Sequence, residues 1–191
     1  MATTAEAHRH ATERNPHLGM AFFILSEAFL FAAFFAAYFY LRGISPSWPQ
    51  PPSIHRPELP LVLYNTAILL FSSLTYHWAT LGIRQGNRNR LTAGVLVTLL
   101  LGATFMAIQG WEFAHNGFSP QDGLFGSTFY SLVSLHGLHV FMGLVLLAMV
   151  FIRSLRGLFS QEGHSAVEVT GYYWHFVDVV WLFLFTTVYV I

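Results

Sequence analysis

The chain has 191 residues, of which 54% are hydrophobic and only 9% charged, with nine basic side chains balancing nine acidic ones. That composition excludes an ordinary soluble domain, and the zero net charge argues against a nucleic-acid partner. With no cysteine, the chain cannot supply a thiolate-bridged copper pair, an iron–sulfur cluster or a covalently attached c-type haem.

Residues 1–17 carry four charges and three histidines but no apolar stretch. They read as a cytoplasmic tail and not as a cleaved signal peptide. Residues 18–191 then form one transmembrane domain. Its first apolar run, about 18–41, is long enough to cross the ~30 Å hydrocarbon layer. Glu27 lies nine residues into it, ~13 Å deep at the ~1.5 Å helical rise. No basic residue lies within a turn of Glu27 on its own helix. Three readings stay open for this carboxyl: it is neutral, it is partnered across helices, or it marks a proton or lipid site.

Residues 43–60 contain six prolines, which fix φ and remove donors. They predict a stiff outer loop, with Trp48 anchoring at the interface. The second span is expected at about 61–83 and is followed by a tight inner turn, RQGNRNR (84–90). The third span, about 91–114, ends in Glu112 and His115 near the outer surface. An outer turn at 116–123 leads to the fourth span, about 127–152, which carries His136 and His139 at mid-depth. Arg153 and Arg156 follow it, and the fifth span, about 167–191, holds His175 and Asp178.

All nine basic residues are arginine. Arg9, Arg14, Arg84, Arg88, Arg90, Arg153 and Arg156 fall on the N-terminal side, and only Arg42 and Arg56 on the other. This bias predicts an all-α bundle of five transmembrane helices with the N-terminus cytoplasmic and the C-terminus outside. The absence of any internal repeat disfavours an inverted-repeat transporter.

Each polar pair is spaced i, i+3, so both members share one helical face. Glu112-x-x-His115 has the spacing used by di-iron carboxylate bundles, to which His136 and His139 could add imidazoles. Yet no second Glu-x-x-His is present, and the pairs lie at different depths. The alternative for Glu112, His115, His136, His139, His175 and Asp178 is structural. As buried polar groups they would hydrogen-bond one another or neighbouring helices, each bond contributing ~0.6–2 kcal/mol and fixing register. Asn65, Thr66, Thr104 and Gln109 fit the same role.

The terminal segment YYWHFVDVVWLFLF (172–185) resembles the signature of subunit III of the haem–copper oxidases, in particular of cytochrome c oxidase. SLHGLHVFMG (134–143), DGLFGSTFY (122–130) and IQGWEF (108–113) resemble the family in the same order. So do ELPLVLYNTAILLFSS (58–73), GNRNR (86–90) and ILSEAFLFAAFF (24–35), so the similarity covers roughly residues 18–191. Seven spans are common in this family, and the five here resemble its short form.

The resemblance implies a non-catalytic membrane subunit of a proton-pumping terminal oxidase in aerobic respiration. It would hold no metal, since haems and copper belong to partner subunits I and II. It would pack on subunit I, hold phospholipid, support proton uptake and protect the enzyme during turnover. Glu27 matches the family's buried, carbodiimide-reactive carboxylate. Arg153 matches an arginine that meets a lipid headgroup. The expected location is a bacterial cytoplasmic (inner) membrane. A quinol-oxidising member of the superfamily is the alternative, and a stand-alone membrane di-iron enzyme the remote one.

Overall fold

The computed structural model describes the backbone of residues 4–49 and 59–191, and the side chains of 16–49 and 59–191. All regular structure in these residues is helical. The helices are α1 (Thr4–Ile44), α2 (Leu59–Arg84), α3 (Arg88–His115), α4 (Gly123–Leu155) and α5 (Ser165–Leu184), the last running into a π-helical turn at Phe185–Val190. All five are long and apolar enough to cross a membrane, at the five places expected. The backbone of the N-terminal tail is not separate from the first span: α1 begins at Thr4 and passes through Pro16 without ending.

The turn between α2 and α3 is tighter than its polar sequence suggests. Only residues 85–87 lie between α2 and α3, because Gly86 takes φ +74° and the Asn87 side chain caps α3 by accepting from the Arg90 N–H at 3.0 Å. Residues 50–58, which hold Arg56 and three of the six prolines of the first loop, lie outside the described residues, as do the side chains of Arg9 and Arg14. Trp48 differs from expectation. It folds back on the bundle, donating to the Tyr38 hydroxyl at 3.3 Å and meeting Tyr38 and Phe125 edge-on, instead of anchoring outward.

Helix α2 packs most closely on α3, α3 on α4, α4 on α5 and α5 back on α2, so four helices close a ring. Small residues permit this approach. A Cβ on Gly94 would lie 2.6 Å from the Ala79 Cβ across the α2–α3 seam. The fully buried Trp174 ring lies in a slot formed by Gly102 of α3 and Gly143 of α4, where an added Cβ would meet it at 2.8 Å on each side. Its N–H donates to Ser72 at 3.1 Å, and Trp181 donates likewise to Thr66 at 2.9 Å. Apolar packing and polar ties therefore meet on the same side chains, as expected where lipid supplies no hydrophobic drive between helices.

Helix α1 stands outside the ring, against α5 and α4. Only 6% of its most apolar window is buried, against 33–56% in the other four spans. Phe31 and Tyr38 are its only fully buried large side chains among the described residues.

Because the α2–α3 seam has no room for a methyl group, Gly94→Ala should destabilise the bundle by about 1–3 kcal/mol. Gly110→Ala, with nothing within 4 Å, should leave it nearly unchanged. Thermal unfolding of the two purified variants checks this contrast.

Candidate functional site

Separation of α1 from α4 leaves a groove along the bundle. One part, about 460 Å³, is lined by Met20, Phe23, Glu27 and Leu30 from α1 and by Leu135, His139, Met142 and Leu146 from α4, among others. A second, about 180 Å³, continues outward between Phe34 and Ala37 of α1 and Ser127, Thr128 and Ser131 of α4. The walls are almost wholly apolar at mid-depth except for one pair. Glu27 Oε2 lies 2.9 Å from His139 Nε2, an ion-pair contact across the helices with both side chains mostly buried.

The other imidazole nitrogen decides how many protons this pair holds. His139 Nδ1 lies 2.7 Å from the Leu135 carbonyl, which only accepts, so Nδ1 carries a hydrogen. One further proton then lies between Nε2 and Oε2, written either as a carboxylic acid on neutral imidazole or as carboxylate on imidazolium. Both forms have zero net charge, which is what an apolar groove tolerates. The Phe31 ring lies 4.8 Å from the imidazole, and the Tyr173 hydroxyl donates to the His139 carbonyl at 3.1 Å, so the pair is held from both sides. Of the readings open for Glu27, the structure supplies the cross-helix partner.

The remaining sequence-predicted residues separate. His136 shares a helix with His139 but faces the ring's interior, between Trp181 and Phe105, and makes no hydrogen bond among the described residues. His175 and Asp178 do not bond each other. His175 Nδ1 is hydrogen-bonded to Ser73 of α2, while the buried Asp178 carboxyl lies beside the same hydroxyl but outside hydrogen-bond geometry. His175 is also half-buried and not buried as expected, because α2 and α5 splay around a cavity of about 210 Å³ at this level.

Glu112 is buried and accepts from Gln109 at 3.0 Å, with Tyr189 of the terminal turn beside it. His115 corrects the sequence reading. It is exposed, stacked on Trp111 at 4.3 Å with its Nδ1 on the Trp111 carbonyl, because the third span turns it past the end of the ring. Thr104 likewise faces outward and bonds its own helix at the Leu100 carbonyl. Glu112, His115, His136 and His139 thus have four different surroundings. Among the described residues, none of these four belongs to a group of three His, Asp or Glu side chains that could hold a metal ion. Arg153 is exposed at the C-terminal end of α4, its guanidinium 5.3 Å from the Phe159 ring.

One cluster was not anticipated. Glu168, in the first turn of α5, receives two hydrogen bonds from Arg84 at 2.6 and 3.0 Å, and His164 and His17 approach it at 3.3 and 3.7 Å. The signal was present in part: Glu168 is an acid in the first turn of α5, at the end of the bundle where Arg84 ends α2.

These placements predict unequal effects along α3. Gln109→Leu removes the donor of a buried carboxyl and should cost about 1–3 kcal/mol, whereas His115→Ala should change stability by less than about 0.5 kcal/mol. Thermal unfolding of the two variants distinguishes them.

The family model for cytochrome c oxidase subunit III matches residues 1–191. Relatives named cytochrome c oxidase subunit 3 include those of Dugong dugon, 39% identical over 189 residues, and Homo sapiens, 38% identical over 188. Each alignment covers 95% of this chain and 72% of the relative. The Drosophila melanogaster protein is 39% identical over 188 residues, covering 95% of this chain and 71% of its own length.

Proposed function

The chain belongs to the cytochrome c oxidase subunit III family, and on that premise we propose that it is the membrane subunit III of a proton-pumping terminal oxidase and carries none of the reacting groups itself. Oxygen reduction and electron entry are assigned to partner subunits I and II, which hold the haems and copper. The match along the whole chain carries this reading. The relatives' shared name favours cytochrome c as the oxidase's electron donor over a quinol. A stand-alone di-iron enzyme finds no support, since its four candidate ligands have separate surroundings.

Within the complex the chain's own task is proposed to be lipid holding, with support of proton uptake and of working lifetime. The α1–α4 groove suits acyl chains: it is long and open, and its larger part is apolar but for the Glu27–His139 pair and Tyr173. On α4 the groove positions Leu135, His139, Met142 and Leu146 continue at helical spacing through Met149 to Arg153. Arg153 lies about 10 Å beyond Leu146 along the axis, which suits a phosphate headgroup above tails in the groove. Glu27, neutralised by His139, lets the groove keep a carboxyl without repelling the tails.

The relatives named are animal proteins, so they give no support to a bacterial inner membrane in particular. The chain is an integral membrane protein, and we propose that its arginine-rich end faces the compartment from which the oxidase takes up protons.

Two outcomes test this function. The chain should purify with a larger haem-bearing subunit and show no haem absorbance once separated; a haem spectrum that stays with the separated chain refutes the assignment. Arg153→Leu should leave the haem spectrum of the complex intact, reduce its bound phospholipid by mass spectrometry, and shorten its lifetime during turnover. Unchanged lipid and lifetime would leave Arg153 an orientation signal only.

A further inference from the structure

Asp178 of α5 is a carboxyl that the bundle encloses without supplying a counter-charge. It is 4% exposed, and neither of its oxygens has a hydrogen-bond partner among the described residues. It makes no ion pair among them either. The polar group beside it is the Ser73 hydroxyl of α2. An isolated carboxylate is costly in such surroundings, whereas the acid form is uncharged and has a hydrogen to donate. Ser73 can receive that hydrogen: it is hydrogen-bonded to His175 Nδ1, and a hydroxyl that donates keeps its lone pairs free. The Asp178 carboxyl meets Ser73 outside hydrogen-bond geometry, so a rotation about its soft terminal torsion completes the line.

His175 continues that line toward water. It is half-buried, and with Nδ1 on Ser73 its Nε2 is left for the cavity of about 210 Å³ between α2 and α5. The cavity walls bring together His77, Thr80, Arg84, Glu168 and Tyr172 beside His175. Two imidazoles, two hydroxyls and an ion pair suit water and not acyl chains, in contrast to the α1–α4 groove. The other titratable groups at this level have their own surroundings. Arg84, His164 and His17 of α1 are on Glu168, and the Tyr172 ring lies 5.7 Å from His17. His77 is exposed, and Tyr76, edge-on to His175, donates its hydroxyl to the Val167 carbonyl at 2.7 Å. Among the described residues, Ser73 is thus the group that joins the cavity imidazole to the enclosed carboxyl.

We propose that His175, Ser73 and Asp178 form a proton relay from this cavity to a buried proton-holding site. Before uptake, His175 carries its hydrogen on Nδ1 and donates to Ser73, which donates to an Asp178 carboxylate. A hydronium ion in the cavity gives a proton to His175 Nε2 and becomes water. The Nδ1 hydrogen then passes to Ser73 Oγ as the Ser73 hydrogen passes to Asp178. One proton has entered: Asp178 is the acid, and His175 is neutral again with its hydrogen on Nε2. Release runs the same steps backwards. The use of the stored proton rests on the proposed support of proton uptake, but the relay itself does not.

Infrared spectra of the resting, assembled oxidase test the relay. The carbonyl stretch of protonated Asp178 is the band lost in Asp178→Asn, and in heavy water it should shift as the acid proton exchanges. Ser73→Ala should keep that band but slow its exchange by about 100-fold, the loss expected when a positioned proton-transfer group is removed. Ser73→Thr, which returns the hydroxyl, should restore the rate. No band lost in Asp178→Asn, or exchange as fast in Ser73→Ala as in the unsubstituted chain, overturns the proposal. If Ser73→Ala does not assemble, Thr80→Phe, which fills the cavity beside an intact relay, must slow the exchange; an unchanged rate there overturns the proposal equally. Because the exchange is read without turnover, an absent relay is distinguished from an oxidase to which this chain brings no support of proton uptake.

Discussion

Acyl chains are as apolar as leucine, so burying a leucine between two transmembrane helices gains little over leaving it in lipid. The structure depends on that constraint. Its helices are held where small residues allow close approach and where a polar side chain finds a partner on another helix. Trp174 and Trp181 do both, each filling an interior slot while its indole N–H reaches a hydroxyl on α2. Helix α1 shows the constraint most plainly. It buries few large side chains, and it is fixed by Glu27, Tyr38, Arg42 and His17, each reaching a partner on α4, α5 or the terminal turn.

The same constraint explains the division between ring and outlier. The α2–α3 seam, tightened by Gly94 against Ala79, forms a rigid side of the four-helix ring. Its interior is filled by aromatic rings, with Phe105 edge-on to Trp181, Phe129 edge-on to Tyr189 and Phe125 tilted against Phe129. Helix α1, lacking such a seam toward α4, leaves a groove instead, and the groove's single polar pair is a neutral dyad. A subunit assigned to lipid holding needs such a combination: a rigid frame, and a face that accepts an apolar guest without presenting charge.

The spans were legible because length and hydropathy act locally: all five helices lie where the apolar runs predicted. Partners were not legible from spacing. An i, i+3 interval states that His136 and His139 share one side of α4, but not that the ring interior takes one and α1 the other. His175 and Asp178 likewise read as a pair, yet both approach Ser73, a residue more than a hundred positions earlier. Glu27 was recognisable as needing a partner because no base lies near it on its own helix, while the identity of that partner required the packing of α1 on the bundle. His115 was misread because the last turn of a span rotates beyond the ring that buries the turn before it. The Glu168 cluster was hidden for the opposite reason: near the membrane surface an acid and an arginine look ordinary, and only the meeting of α1, α2 and α5 brings two histidines to the same carboxylate.

If polar ties and not apolar burial position α1, then Glu27 and His139 must be energetically coupled. A double-mutant cycle measures this directly, comparing Glu27→Ala, His139→Ala and the double variant by thermal unfolding of the purified complex. The account predicts a coupling of about 1 kcal/mol, within the range for interhelical hydrogen bonds in membranes, so that the double variant is less destabilised than the sum of the singles. Strict additivity would contradict it, and would mean that the Glu27–His139 pair does not hold α1 to α4.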